Sequence, residues 1–156
     1  MKRLNCTPIE ILLVEDNEDD VILTSRAFKT GKVVNNLSVA SDGVEALAFL
    51  RREGKYAAAP RPDIILLDLN LPRMNGHELL ETIKSDPLFA AIPVVILTTS
   101  KSEDDIIKTY KNHSNCFISK PVTMEEFTKV IRKVEEFWFL IVRLPQPEDT
   151  KAGGRP

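Results

Sequence analysis

The sequence predicts an α/β domain built on an open, doubly wound parallel sheet. Three observations predict it. Five strand-length aliphatic runs recur along the chain, amphipathic helical patterns lie between them, and Asp, Asn, Gly, Pro or Ser bounds each run. At 156 residues the chain is expected to form one domain with a substantial core.

The first strand is read in "IEILLVED", residues 9–16, and the first helix runs from Asp19 to Thr30. "NLSVAS" gives the second strand and Gly43–Glu53 the second helix. "REGKYAAAPRP" is longer than a usual helix-to-strand connection and reads as a loop. The third strand is "DIILLD", followed by a turn through Asn70, Pro72, Asn75 and Gly76 and a helix over Gly76–Ser85. "PVVILTT" gives the fourth strand and Ser102–Asn112 the fourth helix; "NCFISK" is the fifth strand, with a helix from Met124 to about Leu144. Ser102 with Asp105 and Thr123 with Glu126 read as capping boxes, the former with Asp in the Glu/Gln place. "LPQPEDTKAGGRP" reads as a flexible tail, dividing the chain into a domain over 8–144 and a tail over 145–156.

Composition narrows the function classes. A net charge of -2 and a pI near 5.8 supply no basic footprint for direct nucleic-acid binding. The apolar runs fall far short of the roughly 18 residues that span a bilayer, and the N-terminus lacks a cleavage signal, so a cytoplasmic, membrane-free protein is expected. Cys6 and Cys116 then stay reduced, Cys116 as core, and neither has a CxxC partner. His77 and His113, isolated on predicted helices, read as surface or capping residues.

Ligands bind such sheets beyond the carboxyl ends of the strands, so the residues at those ends matter most. The first strand ends in Glu15 and Asp16, the third in Asp68, the fourth in Thr98, Thr99 and Ser100, and the fifth in Lys120 before Pro121. Right-handed crossovers place these four strands side by side. Each residue taken singly has a plainer reading: acids capping a helix, a surface lysine, ordinary strand threonines. Together they form a pattern. Three clustered carboxylates call for a cation, and a set without His or Cys suits Mg²⁺ better than zinc. A hydroxyl and an ammonium beside such a site suit phosphoryl transfer, with Asp68 able to serve as nucleophile.

At these residues the sequence resembles the response-regulator receiver domains of two-component signalling. "ILLVEDN", "ILLDLNLPRMNG", "PVVILTTS" and "CFISKP" resemble the family's acidic-pair, phosphoacceptor, switch-hydroxyl and aromatic-x-x-Lys-Pro motifs, over about Ile9 to Leu144. The resemblance implies a flavodoxin-like (βα)5 fold with strand order 2-1-3-4-5. It also implies that Asp68 accepts a phosphoryl group from a histidine kinase, and that the protein catalyses its own aspartyl phosphorylation and dephosphorylation rather than acting as a conventional enzyme. Asp16 and Asp68 would ligate Mg²⁺, with Glu15 through water and Asn70 through its backbone carbonyl. Thr98 is the implied switch hydroxyl, Lys120 the phosphoryl contact and Phe117 the rotating aromatic, with a cis peptide between Lys120 and Pro121. The long third-strand loop and "EEFWFLIVRLP" resemble single-domain regulators paired with cyanobacterial phytochromes, which implies a phytochrome kinase as partner.

Two other readings compete with this one. Aspartyl-phosphate phosphatases share the Asp nucleophile, Mg²⁺, Thr and Lys, but carry a second Asp where this chain has Asn70. A pseudo-receiver that binds partners without phosphorylation is expected to have lost an acid, Thr or Lys, and none is lost here. The last helix is too apolar for one sheet face: Phe127, Val130, Ile131, Val134, Phe137 and Trp138 fill a core stripe, yet Phe139 to Val142 continue without a polar break. One reading folds this end back onto the domain. The other makes Phe139 and Ile141 part of a homodimer interface formed by the fourth helix, fifth strand and fifth helix.

Overall fold

The computed structural model describes residues 8–31, 33–99, 106, 116–120 and 123–136. Five strands form one sheet: β1 Ile9–Val14, β2 Asn35–Ala40, β3 Ile64–Leu67, β4 Val94–Thr98 and β5 Cys116–Ser119. Their order is β2-β1-β3-β4-β5 and every neighbouring pair is parallel, which matches the expected fold. Helices α1 Glu18–Lys29, α2 Gly43–Arg51 and α3 Gly76–Ser85 connect successive strands, and a C-terminal helix spans Met124–Glu135.

The two-residue period of each strand sorts its side chains between two cores. Leu12, Val14, Ile65, Leu67, Val94 and Ile96 face α2 and α3, where they meet Leu47, Phe49, Leu80 and Ile83. Ile11, Leu13, Ile64, Leu66, Val95 and Leu97 face α1 and the C-terminal helix, against Phe28, Phe127, Ile131 and Val134. This two-sided burial explains why β3 reads "IILL" with no polar alternation. The C-terminal helix is further pinned to α1 by Arg132, whose guanidinium donates to the Ala27 carbonyl and, at 2.6 Å, to Thr30 Oγ1.

The helix ends show where local signals were incomplete. Helix α1 starts on an Asn17 cap whose side chain accepts from the Asp20 amide at 3.0 Å, so the capping role weighed for Glu15 and Asp16 belongs to Asn17. Helix α2 ends at Arg51, two residues before the expected Glu53. Arg52 takes the left-handed conformation (φ 57°), and the Arg52 and Glu53 amides close back on the Phe49 and Ala48 carbonyls. An arginine in the place usually held by glycine hides that stop. The following loop contains a 3-10 turn at Gly54–Tyr56, and Tyr56 ties it to α2 through a 2.5 Å hydrogen bond to Glu45. Asn75 and Glu78 form a reciprocal capping box at the start of α3, while Thr123 caps the C-terminal helix by accepting from the Glu126 amide.

Ile106 is helical, as expected within 102–112; the rest of that helix and its Ser102–Asp105 cap lie outside the described residues. So do Cys6, Ser100, His113, Pro121 with its peptide bond to Lys120, Phe137, Trp138, Phe139, Ile141, the tail and the side chains of Cys116 and Phe117.

Candidate functional site

The functional residues follow directly from the ends of the strands, and their own amides continue the sheet's hydrogen bonding. The Glu15 amide donates to the Ala40 carbonyl at 3.0 Å, the Asp68 amide to Val14 at 3.1 Å and the Lys120 amide to Thr98 at 2.7 Å. Each side chain is therefore aimed by the sheet, not by a loop. Beyond Asp68 the chain turns at once, and Gly76 begins α3 so close to the strand end that a Cβ there would lie 2.5 Å from the Asp68 carbonyl oxygen.

Asp68 is buried at the centre of the group. Its Oδ1 accepts from the Thr98 hydroxyl at 2.7 Å and from the Asn70 amide at 3.2 Å, while Oδ2 lies 3.4 Å from Lys120 Nζ. The Lys120 side chain is only 4 % exposed, and its ammonium donates to three carboxylates: Glu15, Asp20 at 2.8 Å and Asp68. Burial disfavours the charged ammonium, but the bonds to Asp20 and Glu15 and the charge of Asp68 outweigh it and raise the lysine above its ordinary range. Burial raises the Glu15 carboxyl to about 7, reinforced by Asp68 and opposed by Lys120.

Glu15, Asp16 and Asp68 offer oxygens that all lie within 4.8 Å of one another. An all-carboxylate set of this size, with Asp16 exposed toward solvent and two buried members, fits a hard divalent cation. The strand-tip pattern thus brings together Glu15, Asp16, Asp68, Thr98 and Lys120 as expected. Asn70 stands beside them as an amide donor to Asp68. Phe117 sits in β5, one strand-face step from Ile118. Sequence reasoning missed Asp20. It lay in the acidic run "NEDD", where the first-turn helix dipole already accounts for acids, and no spacing rule links it to a lysine one hundred residues away.

A parallel sheet of this order carrying acids, a hydroxyl and a lysine on adjacent strand tips defines a receiver, and the family model of the response regulator receiver domain matches residues 11–132. The chain belongs to that family, whose members take a phosphoryl group from a histidine kinase. Among its relatives is the response regulator Rcp1 of Synechocystis sp., 44% identical over 138 residues that cover 88% of this chain and 94% of that protein. The solved structure of the phosphorylated cyanobacterial phytochrome response regulator RcpA is 46% identical and superposes with a TM-score of 0.86 over 90% of this chain and 100% of that one. The Mn²⁺-bound form of Rcp1 is 44% identical with a TM-score of 0.85, covering 89% of this chain and 100% of that one.

Proposed function

We propose that Asp68 is the phosphoacceptor of a two-component relay whose donor is a phosphohistidine on a sensor histidine kinase, a phytochrome being the favoured partner. The observation that carries this is the buried Asp68 carboxylate held between the Thr98 hydroxyl and the Lys120 ammonium, beside Glu15 and Asp16. In the reaction a carboxylate oxygen of Asp68 attacks phosphorus. The P–O bond forms as the P–N bond to the kinase histidine breaks, and the histidine nitrogen leaves as imidazole after gaining a proton.

Asp16, Asp68, Glu15 and the Asn70 carbonyl would hold Mg²⁺, whose charge would offset that of the transferred oxygens. Lys120 supplies a second positive charge, its Nζ 3.4 Å from Asp68 Oδ2. The Thr98 hydroxyl, which now donates to Asp68, has a phosphoryl oxygen as its alternative acceptor, and Phe117 on the neighbouring strand responds to that shift. The same residues serve the protein's own dephosphorylation. The receiver unit is assigned to 8–144 with a tail over 145–156, acting in the cytoplasm. Phe139 and Ile141 are assigned to a homodimer face with the fourth helix and fifth strand. Among the described residues no helix is long and apolar enough to cross a membrane.

The phytochrome assignment is supported by the 46% identity to RcpA, a cyanobacterial phytochrome response regulator. Phosphotransfer from a phytochrome histidine kinase, run beside an unrelated histidine kinase with and without Mg²⁺, tests it. Acid-labile, base-sensitive label should appear on the wild type with Mg²⁺ and be absent from Asp68→Asn. Label persisting on Asp68→Asn overturns the acceptor assignment, and equal transfer from both kinases overturns the partner assignment.

A further inference from the structure

The geometry points to Asp20 as a positioning residue that tethers the Lys120 ammonium in the resting site and competes with the phosphoryl group for it. This rests on Asp68 being the phosphoacceptor. An ammonium carries three protons, and here all three have carboxylate acceptors: Glu15, Asp20 and Asp68. The three bonds are unequal. Nζ lies 2.8 Å from Asp20, an ordinary charge-assisted length, but 3.4 Å from Asp68, which is long for such a bond.

Asp20 also stands apart from the cation cluster, which among the described residues comprises Glu15, Asp16 and Asp68. Its carboxylate therefore does for Lys120 what it does not do for a metal. The tether is well built at its own end. The Asp20 amide is fixed by the Asn17 cap at 3.0 Å and its carbonyl accepts from Thr24 Oγ1 at 2.8 Å, so its backbone is held in the first turn of α1. For Nζ to donate to a phosphoryl oxygen on Asp68 it must give up an existing acceptor, and of the two besides Asp68, Asp20 is the one outside the cation cluster.

Asp20 then opposes the phosphorylated state by holding the ammonium back. Replacing it with the neutral, isosteric Asn keeps the side-chain shape while weakening the competition, because an amide oxygen holds an ammonium less strongly than a carboxylate does. The competing bond is partly exposed, so the gain should be a modest one, roughly threefold to tenfold.

The experiment measures affinity for beryllofluoride, a phosphoryl mimic that bonds to the acceptor carboxylate, at saturating Mg²⁺. Wild type, Asp20→Asn, Asp20→Glu, Lys120→Ala and the Asp20→Asn, Lys120→Ala pair are compared, each first checked for a cooperative unfolding transition. Asp20→Asn should bind roughly threefold to tenfold more tightly than wild type, and Asp20→Glu, which restores the charge, should return toward the wild-type value. In the Lys120→Ala background the Asp20→Asn gain should vanish, because a merely structural or long-range charge effect has no reason to need the lysine. Unchanged or weaker binding by Asp20→Asn, or an equal gain without Lys120, overturns the inference. A wild type that binds no beryllofluoride at all overturns the phosphoacceptor reading and this inference with it.

Discussion

Asp42 shows how one side chain can serve two elements. Its Oδ1 caps α2 by accepting from the Glu45 amide at 2.8 Å, and its Oδ2 takes Arg73 through Nε at 2.8 Å and Nη2 at 2.7 Å. Arg73 sits at φ 62°, a conformation that costs a non-glycine residue something, in the loop that leads away from Asp68. Burial raises the Asp42 carboxyl, but the Glu45 amide and the Arg73 guanidinium outweigh it and hold the group below its ordinary value. A depressed carboxylate stabilises the fold above its unfolded pKa of about 4, and that contribution is lost as pH falls through the folded value. Asp42→Asn, which keeps a capping side chain, should therefore cost about 0.5–1 kcal/mol at pH 7, since the Arg73 side chain is 58 % exposed. The deficit should close as unfolding is measured below about pH 4. A deficit that stays constant across that range would contradict the assignment. Asp42 just before the apolar run of α2 carries a local cap signal that went unread, whereas the pairing with a residue thirty-one positions on is tertiary and has no local signature.

At the scale of elements, two glycines set how closely α2 and α3 approach the loop after β3. A Cβ on Gly43 would lie 2.5 Å from the Met74 carbonyl oxygen, and one on Gly76 would lie 2.5 Å from the Asp68 carbonyl and 2.6 Å from Leu69 Cα. These neighbours are backbone, so they cannot swing aside. In an open helix Gly→Ala gains up to about 1 kcal/mol from propensity. Gly76→Ala should instead destabilise the protein by about 1–3 kcal/mol, read by chemical denaturation, and slow phosphorylation by displacing the Asp68 strand end. A variant as stable as wild type would show that α3 can retreat without consequence. Element types and order were legible because each apolar run is short and each helix is amphipathic. Boundaries were less so: the end of α2 depends on an arginine in a left-handed turn, and Asn17 took the capping role that acidic composition had suggested for its neighbours.

For the whole molecule, the strand-tip argument made Glu15, Asp16, Asp68, Thr98 and Lys120 legible because in a parallel sheet the strands all end at one edge. Asp20 was not, since seeing it requires the orientation of the first turn of α1 over that edge. One consequence of the sheet bonding described above concerns time rather than geometry. The Glu15, Asp68 and Lys120 amides are rungs on the Ala40, Val14 and Thr98 carbonyls, so they can exchange their protons with solvent only when neighbouring strands part. Native-state hydrogen exchange should find these three amides among the slow, near-global class. The Asn70 amide, which leans on the Asp68 carboxylate alone in the described bonding, should exchange by small local openings. Rapid exchange at Asp68 would mean that β3 frays at its tip. If the slow class holds, a chemical event on the Asp68 carboxylate leaves the strands clamped, and the receiver's clock of side-chain and loop motion runs orders of magnitude faster than the opening of the sheet that carries it.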